Sequence, residues 1–116
     1  MYASADATTI PGRPGAPGKA VGTPRVLTSL ADARRLQPHD VLVAATTAPP
    51  WTPLFATAAA VVSDTGGILS HCAVVAREYG IPAVVGTGNA TTRILDGHLV
   101  EVDGDAGVVR LLPERR

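Results

Sequence analysis

The chain has 116 residues, the size of a single domain, which excludes a multidomain enzyme that carries its own nucleotide and substrate domains. Ten Lys and Arg residues balance ten Asp and Glu residues, so the chain lacks the positive charge expected of a generic nucleic-acid binder. Hydrophobic residues make up 46% of the chain and charged residues 17%, which is the composition of a globular protein.

The single cysteine, Cys72, excludes an internal disulfide and a zinc cluster built from cysteines, and we predict no metal site. The N-terminus lacks the charged and apolar regions of a signal peptide. No apolar run approaches the ~18 residues that a membrane span needs. We therefore expect a cytoplasmic protein with no nucleic-acid partner and no membrane partner.

The N-terminal segment of residues 1–14 is rich in proline and glycine, which predicts a flexible tail in front of one domain over residues 15–116. The stretch from Ala20 to Leu27 alternates loosely between apolar and polar residues and predicts a strand. Ser29 then precedes a short amphipathic segment that stops before Pro38, which is typical of a capped helix.

Short apolar runs in the middle of the chain predict strands that are covered on both faces. These runs are Val41 to Ala45, Ala60 to Asp64 and Ala83 to Val85. Between the first two, a helix can begin only near Pro53, because proline is tolerated in a first turn. After the second, a helix from Ser70 to Tyr79 has a serine N-cap and a glycine at its end.

The C-terminal part predicts a helical turn that reaches Leu95, followed by a β-hairpin. The hairpin strands run from Leu99 to Asp103 and from Val108 to Leu112, around the turn sequence DGDAG. Buried strands that alternate with helices before a terminal hairpin predict an α/β fold with a mixed sheet.

The stretch from Asp64 to His71 runs from a strand end through Gly66 and Gly67 to the start of a helix. The unpaired N–H groups and the positive dipole end of that helix favour an anion near His71. A neutral imidazole is a nucleophile, so a phosphoryl group on His71 could be received by the helix N-terminus and the two glycine amides. The same position also suits an ordinary capping or core-edge histidine. The pattern alone does not distinguish this structural role from that of a nucleophile.

The neighbours of His71 do not form a catalytic pair with it. Adjacent helical residues point about 100° apart, so Cys72 and Ser70 cannot share a face with the imidazole. We predict that Cys72 is a buried small hydrophobe and that Ser70 is the N-cap. Arg77 also lies off the His71 face, and we expect it to pair with a carboxylate.

We expect no cofactor to be bound by this domain alone. The chain contains no GxxxxGK[ST] sequence, so it has no P-loop. The GTGNAT sequence after Val85 resembles a dinucleotide-binding loop but lacks the third glycine of that motif.

The chain resembles the phosphohistidine swivelling domain of phosphoenolpyruvate-utilising enzymes in the run TGGILSHCAVVAREYGIPAVVGTGNAT and in ILDGHLVEVDGDAGVVRLL. Upstream, PGAPGKAVGTPRVL and LQPHDVLVAATTAPPWTPLF resemble the entry strand and the stretch before the central loop. The likeness covers about residues 15–112 and is nearest to phosphoenolpyruvate synthase-like and rifampin phosphotransferase members. It implies a swivelling β/β/α domain with a mixed sheet and a helix that starts at the active histidine.

The resemblance also implies roles for individual residues. By this likeness His71 is the phosphoacceptor, and Arg77 is a possible supporting residue. The loop around the phosphohistidine would be formed by Thr65, Gly66, Gly67 and Ser70.

The resemblance further implies a carrier that receives a phosphoryl group from an ATP-grasp nucleotide domain, or from phosphoenolpyruvate, and delivers it to an acceptor-binding domain or protein. ATP and Mg²⁺ would be held by the partner, so this chain is a component of a phosphotransferase and not a complete enzyme. Met1 ahead of the tail favours a stand-alone carrier over a fragment of a longer enzyme. The alternative is a non-catalytic docking or regulatory module with the same fold.

Overall fold

The computed structural model describes residues 8–112, so residues 1–7 of the predicted tail and residues 113–116 of the predicted domain lie outside the described residues. In chain order the strands are β1 (Thr9–Pro11), β2 (Arg13–Ala16), β3 (Lys19–Gly22), β4 (Pro24–Leu27), β5 (Val41–Ala44), β6 (Ala60–Ser63), β7 (Ala83–Val85), β8 (Val100–Asp103) and β9 (Val108–Leu111). The α-helices are α1 (His71–Tyr79) and α2 (Ala90–Arg93), and 3₁₀ helices cover Leu30–Arg35 and Pro49–Ala56. No described helix is both long enough and apolar enough to cross a membrane.

The strands form two sheets. One sheet has the order β2-β7-β6-β5-β4, in which β4, β5, β6 and β7 are parallel and β2 is antiparallel to β7. The other has the order β1-β9-β8-β3 and is antiparallel throughout, with β8 and β9 joined as the predicted hairpin. The prediction of an α/β fold with a mixed sheet is confirmed, and a second, antiparallel sheet accompanies it.

The five-stranded sheet is the middle layer of the molecule, because its two faces bury different sets of side chains. On one face, Leu42 and Val61 pack with α1 and with Phe55 of the second 3₁₀ helix. On the other face, Val43 and Val62 pack against the four-stranded sheet. The continuous apolar runs of β5, β6 and β7 therefore reflect burial on both faces, and the layers follow the β/β/α order that the resemblance implies.

The prediction of a flexible tail over residues 1–14 is wrong for residues 9–14, which contribute to β1 and β2. Ile10 is fully buried between the two sheets. Pro11 and Pro14 are compatible with strand structure here because β1 and β2 both lie at sheet edges, where a missing N–H breaks no ladder. The proline content that predicted a tail instead marks edge strands.

The predicted strand from Ala20 to Leu27 is divided between the two sheets. Its first half is β3 and its second half is β4, with Thr23 between them. A Cβ at Gly22 would lie 3.0 Å from the His39 carbonyl oxygen, so this crossing point favours a residue without a side chain.

Two predicted helices differ from the structure in type or position. The segment after Ser29 is a 3₁₀ helix, and its predicted serine cap accepts no hydrogen bond from the helix. The helix expected to begin near Pro53 begins at Pro49, and it is also 3₁₀ in type. Pro49 and Pro50 open this helix, and proline is tolerated in a first turn because an N–H there would have no partner within the helix.

Replacing Ile10 with alanine tests whether β1 belongs to the folded domain. We expect Ile10→Ala to lower the free energy of unfolding by about 2–5 kcal/mol, because it leaves a cavity between the sheets. Urea unfolding measures this change. Val21→Ala is the matched control, since Val21 is 52% exposed on another strand of the same sheet. Equal, small effects of the two substitutions would contradict the placement of β1.

Replacing Asp103 with asparagine tests an ionic contribution to the four-stranded sheet. The amides of Ala106 and Asp105 and the Arg110 guanidinium donate to the Asp103 carboxylate. The hydrogen bond from Ala106 and then that from Arg110 hold the pKa of Asp103 below its ordinary value. The ionised group therefore stabilises the fold at neutral pH, and this contribution is lost as pH falls below about 3.9 through the lower native pKa.

We accordingly expect Asp103→Asn to unfold at a lower temperature than the natural chain at neutral pH, with a gap that closes in acid. Thermal unfolding at a series of pH values measures the gap. A gap that stays constant from neutral to acid pH would contradict the ionic contribution.

Candidate functional site

The loop between β6 and α1 contains the two glycines that the sequence singled out. Gly66 has φ of 97°, in the left-handed region, and a Cβ there would lie 2.8 Å from Cβ of Ser70. A Cβ on Gly67 would meet nothing within 4 Å. Gly66 is therefore required by the backbone of the turn, whereas Gly67 leaves open space beside it.

The start of α1 is fixed by Ser70, as predicted. The Ser70 hydroxyl donates to the Gly67 carbonyl oxygen at 2.7 Å and accepts from the Ala73 amide at 3.3 Å. It thereby caps the helix and closes the glycine turn at the same time. His71 is the first residue of α1 and is half-buried.

The imidazole of His71 is held from both sides by threonine hydroxyls. Thr47 Oγ1 lies 2.8 Å from Nδ1, and Thr52 Oγ1 lies 3.2 Å from Nε2. The Phe55 ring meets the imidazole edge to face, with the ring centroids 6.0 Å apart. These contacts fix the plane of the ring, so that its two nitrogens face different surroundings.

Cys72 is buried behind the imidazole, in agreement with the prediction that it is a small core residue. Burial raises the pKa of its thiol to about 11, although the nearby hydroxyls of Ser63 and Thr47 act in the opposite direction. The thiol is therefore protonated at neutral pH. A thiolate nucleophile is not available at this position.

The glycine loop is anchored to the ends of neighbouring strands. Thr65 donates through its hydroxyl, at 3.1 Å, and through its amide, at 3.0 Å, to the Ala45 carbonyl oxygen after β5. Its own carbonyl oxygen accepts from the Gly86 amide after β7. The Thr65 side chain is thus engaged in holding the loop to the sheet.

Asp64 also links strand ends, although its position near the loop suggests chemistry. The Thr91 amide donates to the Asp64 carboxylate at 3.1 Å, the Thr91 hydroxyl at 2.5 Å and the Thr87 hydroxyl at 3.2 Å. These donors turn the carboxylate toward the segment that leads into α2. Asp64 therefore connects β6 to the segment after β7.

The prediction that Arg77 pairs with a carboxylate is wrong for the residues that the structure describes. The Arg77 guanidinium donates to the carbonyl oxygens of Gly15, at 2.6 Å, and Ile68, at 2.8 Å. It therefore connects β2 to the middle of the glycine loop. Arg77 does not contact His71, and its contacts are structural.

Two apolar side chains of the loop face outward beside the helix start. Ile68 is 56% exposed and Leu69 is 83% exposed. They immediately precede Ser70 and His71, so the rim of the site is apolar on this side. Large exposed apolar side chains that lie together are typical of surfaces that contact another molecule.

The structure brings together the sequence-predicted residues Thr65, Gly66, Gly67, Ser70 and His71 in one turn. Sequence reasoning missed Thr47 and Thr52, which hold the ring from 24 and 19 residues away. Both threonines lie in the segment that resembles the stretch before the family's central loop, and this position was the only sequence feature that pointed to them. Threonine in a proline-rich segment has many ordinary uses, so its type alone identified neither residue.

A family model described as "PEP-utilising enzyme, mobile domain" matches residues 36–107. The chain is 62% identical over 109 residues to chondramide synthase cmdD of Chondromyces crocatus, covering 94% of this chain and 3% of that relative. It is 50% identical over 99 residues to phosphoenolpyruvate synthase of Aeropyrum pernix, covering 84% of this chain and 12% of that relative. A solution structure of an Enzyme I protein matches with a TM-score of 0.62 and 36% identity, over 72% of this chain and 35% of that one.

The expected likeness to phosphoenolpyruvate synthases and rifampicin phosphotransferases is confirmed. The chain spans only 3% to 12% of the length of the curated relatives named above. It corresponds to one small domain of much longer proteins.

Gly66 and Gly67 offer a matched pair of substitutions that tests the loop geometry. We expect Gly66→Ala to lower the free energy of unfolding by about 1–3 kcal/mol, because alanine is strained in the left-handed region and its Cβ collides with Ser70. Gly67→Ala adds the same methyl group to open space and should change stability far less. Urea unfolding of both variants measures the difference. A larger loss in Gly67→Ala would contradict the described turn.

Proposed function

The chain belongs to the family of PEP-utilising enzyme mobile domains, and from this premise we propose that it carries a phosphoryl group on His71. One observation supports this proposal most directly. The imidazole stands at the first residue of α1, with each ring nitrogen against a hydroxyl and the glycine turn beside it. An ordinary core-edge histidine does not need this arrangement.

We propose Nε2 as the atom that takes the phosphoryl group. Thr47, which contacts Nδ1, is only 8% exposed, so a group on Nδ1 would have to displace a buried side chain. Thr52, which contacts Nε2, is half-buried and belongs to the 3₁₀ helix at the surface of the molecule. Nε2 is accordingly the more accessible nitrogen.

The proposed reaction is an in-line displacement at phosphorus. The Nε2 lone pair forms the new P–N bond while the donor's P–O bond breaks, and the bonding electron pair leaves with the donor oxygen. Delivery to the acceptor reverses the roles, so that the P–N bond breaks and its electron pair returns to Nε2. This chain supplies the nucleophile and its orientation.

The glycine turn and the helix start suit the oxygens of the transferred group. The amides of Gly66 and Gly67 donate to no acceptor among residues 8–112. The N-terminal end of α1 carries the positive end of the helix dipole, and its first turn holds no acidic residue. We propose that these donors receive the phosphoryl oxygens, with Gly67 leaving room for the donor molecule.

Thr65, Ser70 and Arg77 act as supports in this proposal. Ser70 caps the helix, Thr65 ties the turn to the end of β5, and Arg77 ties the Ile68 carbonyl oxygen to β2. The supports keep the receiving amides in place without touching the imidazole. None of them needs to take part in bond making.

We propose that an ATP-grasp domain loads His71 and that a separate domain or protein holds the final acceptor. ATP and Mg²⁺ would be held by the loading partner. The exposed side chains of Ile68 and Leu69 support docking against such partners, because an apolar rim pressed on a partner excludes water from the phosphohistidine. The alternative of a non-catalytic docking module has no observation that favours it over the carrier.

Treatment with phosphoramidate tests His71 without any partner. We expect the natural chain to gain a single phosphoryl group that is stable in alkali and lost in acid, and His71→Ala to gain none. Intact mass measured at alkaline pH, before and after acid treatment, detects the group.

His39→Asn is the matched control, because His39 is exposed and its φ of 69° suits asparagine. This variant should be labelled like the natural chain. Labelling that persists in His71→Ala would contradict the carrier proposal, and absence of labelling in the natural chain would favour the docking module.

A further inference from the structure

The hydroxyl of Thr52 stands where a phosphoryl donor must approach His71. Thr52 Oγ1 lies 3.2 Å from Nε2, the nitrogen proposed to take the phosphoryl group. A hydrogen-bond partner of a ring nitrogen lies along its lone pair or its N–H bond. A donor aligned for attack needs its phosphorus along the same line, about 3–3.5 Å from the nitrogen. The hydroxyl oxygen and the donor phosphorus therefore compete for one position.

This competition does not depend on which group donates the hydrogen bond. If Thr52 donates, its proton occupies the lone pair of Nε2. If Nε2 donates, it has no free lone pair until the ring proton moves to Nδ1. In both cases the contact between Thr52 and Nε2 has to break before a P–N bond forms.

The imidazole of His71 is fixed on its other side. Nδ1 lies 2.8 Å from Oγ1 of Thr47, which is buried, and the Phe55 ring meets the imidazole edge to face. Turning the imidazole away from Thr52 would break the shorter of its two hydrogen bonds and take a partner from a buried hydroxyl. Movement of the imidazole is therefore a costly way to uncover Nε2.

The backbone that carries Thr52 is fixed as well. Thr52 belongs to the 3₁₀ helix Pro49–Ala56, in which Phe55 is fully buried. Trp51 and Leu54 of the same helix pack against the core that contains Phe55. Moving the helix outward would expose these apolar side chains to water. The Thr52 side chain is itself half-buried, so its own rotation requires no such exposure.

Rotation about the Cα–Cβ bond of Thr52 is sufficient to uncover Nε2. Its Cβ carries a hydroxyl, a methyl group and a hydrogen, which exchange places among three staggered positions. One of the two other rotamers puts the methyl group where the hydroxyl now stands, and the remaining one puts the hydrogen there. The rotamer with the hydrogen toward Nε2 leaves room for the donor phosphorus.

We infer that Thr52 covers Nε2 of the unphosphorylated ring and that phosphoryl transfer requires its side chain to rotate away. This inference rests on the proposed function, because it takes Nε2 as the attacking atom. Thr52 loses only a hydrogen bond in the step. The Nε2 lone pair forms the P–N bond, and the electron pair of the broken P–O bond leaves with the donor oxygen. The bound phosphoryl group then keeps Thr52 rotated until the group is delivered.

Carbethoxylation by diethyl pyrocarbonate tests this cover without a phosphoryl group, because the reagent attacks the lone pair of a neutral imidazole. We expect Thr52→Ala to raise the initial rate at His71 by about fivefold, the factor that corresponds to the net ~1 kcal/mol of one hydrogen bond. Cleavage before aspartate places His39, His71 and His98 in separate peptides for mass spectrometry. The rates at His39 and His98 should not change and serve as internal standards.

Three further substitutions identify the cause of a faster reaction. Thr52→Ser keeps the hydroxyl and should react at a rate nearer to that of the natural chain than to that of Thr52→Ala. Thr52→Val keeps the branched shape without the hydroxyl, so it should also react faster than the natural chain. Thr57→Ala is the matched control, since it removes the same atoms from an exposed threonine at the end of the same 3₁₀ helix and should have no effect.

Circular dichroism confirms that each variant is folded before the rates are compared. Thr52→Val preserves the shape of the side chain and decides the question if Thr52→Ala does not fold. An unchanged or lower rate at His71 in the folded Thr52 variants that lack the hydroxyl would overturn the inference.

NMR of the phosphorylated chain tests the rotation itself. Three-bond couplings to the Thr52 methyl carbon report its χ1 rotamer, and phosphoramidate loads His71. We expect χ1 of Thr52 to differ between the unphosphorylated and phosphorylated chains, while χ1 of Thr47 stays the same. An unchanged χ1 of Thr52 in a chain phosphorylated on His71 would overturn the inference and leave the carrier proposal intact. If His71 takes no phosphoryl group, the carrier proposal fails, and the carbethoxylation rates still decide whether Thr52 covers Nε2.

Discussion

Three parallel strands end at the same edge of the five-stranded sheet, and the arrangement of the candidate site depends on this constraint. Thr47 follows β5, the glycine turn follows β6, and Gly86 follows β7. Backbone hydrogen bonds join these ends, because Thr65 donates to the Ala45 carbonyl oxygen and Gly86 donates to that of Thr65. Ligand-binding loops commonly lie at the carboxyl ends of parallel strands, and this sheet follows that rule.

Burial on both faces keeps those strand ends in place. β5 and β6 have no exposed residue, since α1 and a 3₁₀ helix cover one face and the second sheet covers the other. A rigid base of this kind positions the imidazole, while the loop at the edge supplies its exposed surroundings. The same separation suits a carrier, because the residues proposed to receive the phosphoryl group can contact different partners without disturbing the core.

The polar residues at the site divide into two groups with different tasks. The outer group is the glycine turn with its amides, which we propose receive the phosphoryl oxygens. The inner group comprises Ser63, Cys72 and Thr47, which are buried. Ser63 donates to the Thr65 carbonyl oxygen, and Thr47 contacts Nδ1 of His71. Buried polar groups are costly unless they are paired, and these contacts pair the hydroxyls of Ser63 and Thr47.

Much of the fold follows from patterns that act over short distances. The apolar runs of β5, β6 and β7 identified strands, and the serine and glycine at the ends of α1 identified its boundaries, since strand burial and helix capping depend on neighbouring residues. The sequence analysis predicted a tail in place of β1 and β2, because edge strands tolerate the prolines that also characterise linkers. The sequence did not predict the division between β3 and β4, because the sheet to which a strand belongs depends on partners far away in the chain.

The candidate site was likewise predictable only where its residues lie close together in the sequence. His71, Gly66, Gly67 and Ser70 lie within a few residues of one another, so the sequence itself places them in one turn. Thr47 and Thr52 come close to the imidazole only after β5, the second 3₁₀ helix, β6 and α1 have packed together. Arg77 was expected to pair with a carboxylate, but carbonyl oxygens from two separate elements satisfy its guanidinium. Contacts of this kind depend on tertiary packing and leave no local pattern.

The central claim is that His71 accepts phosphoryl groups through Nε2, and nitrogen–phosphorus NMR tests it most directly. The 15N-histidine-labelled chain is treated with phosphoramidate, and the ring nitrogens are then correlated with the phosphorus signal. The account predicts a one-bond nitrogen–phosphorus coupling at Nε2 of His71 alone. A coupling at Nδ1 of His71, or on the ring of His39 or His98, would contradict it.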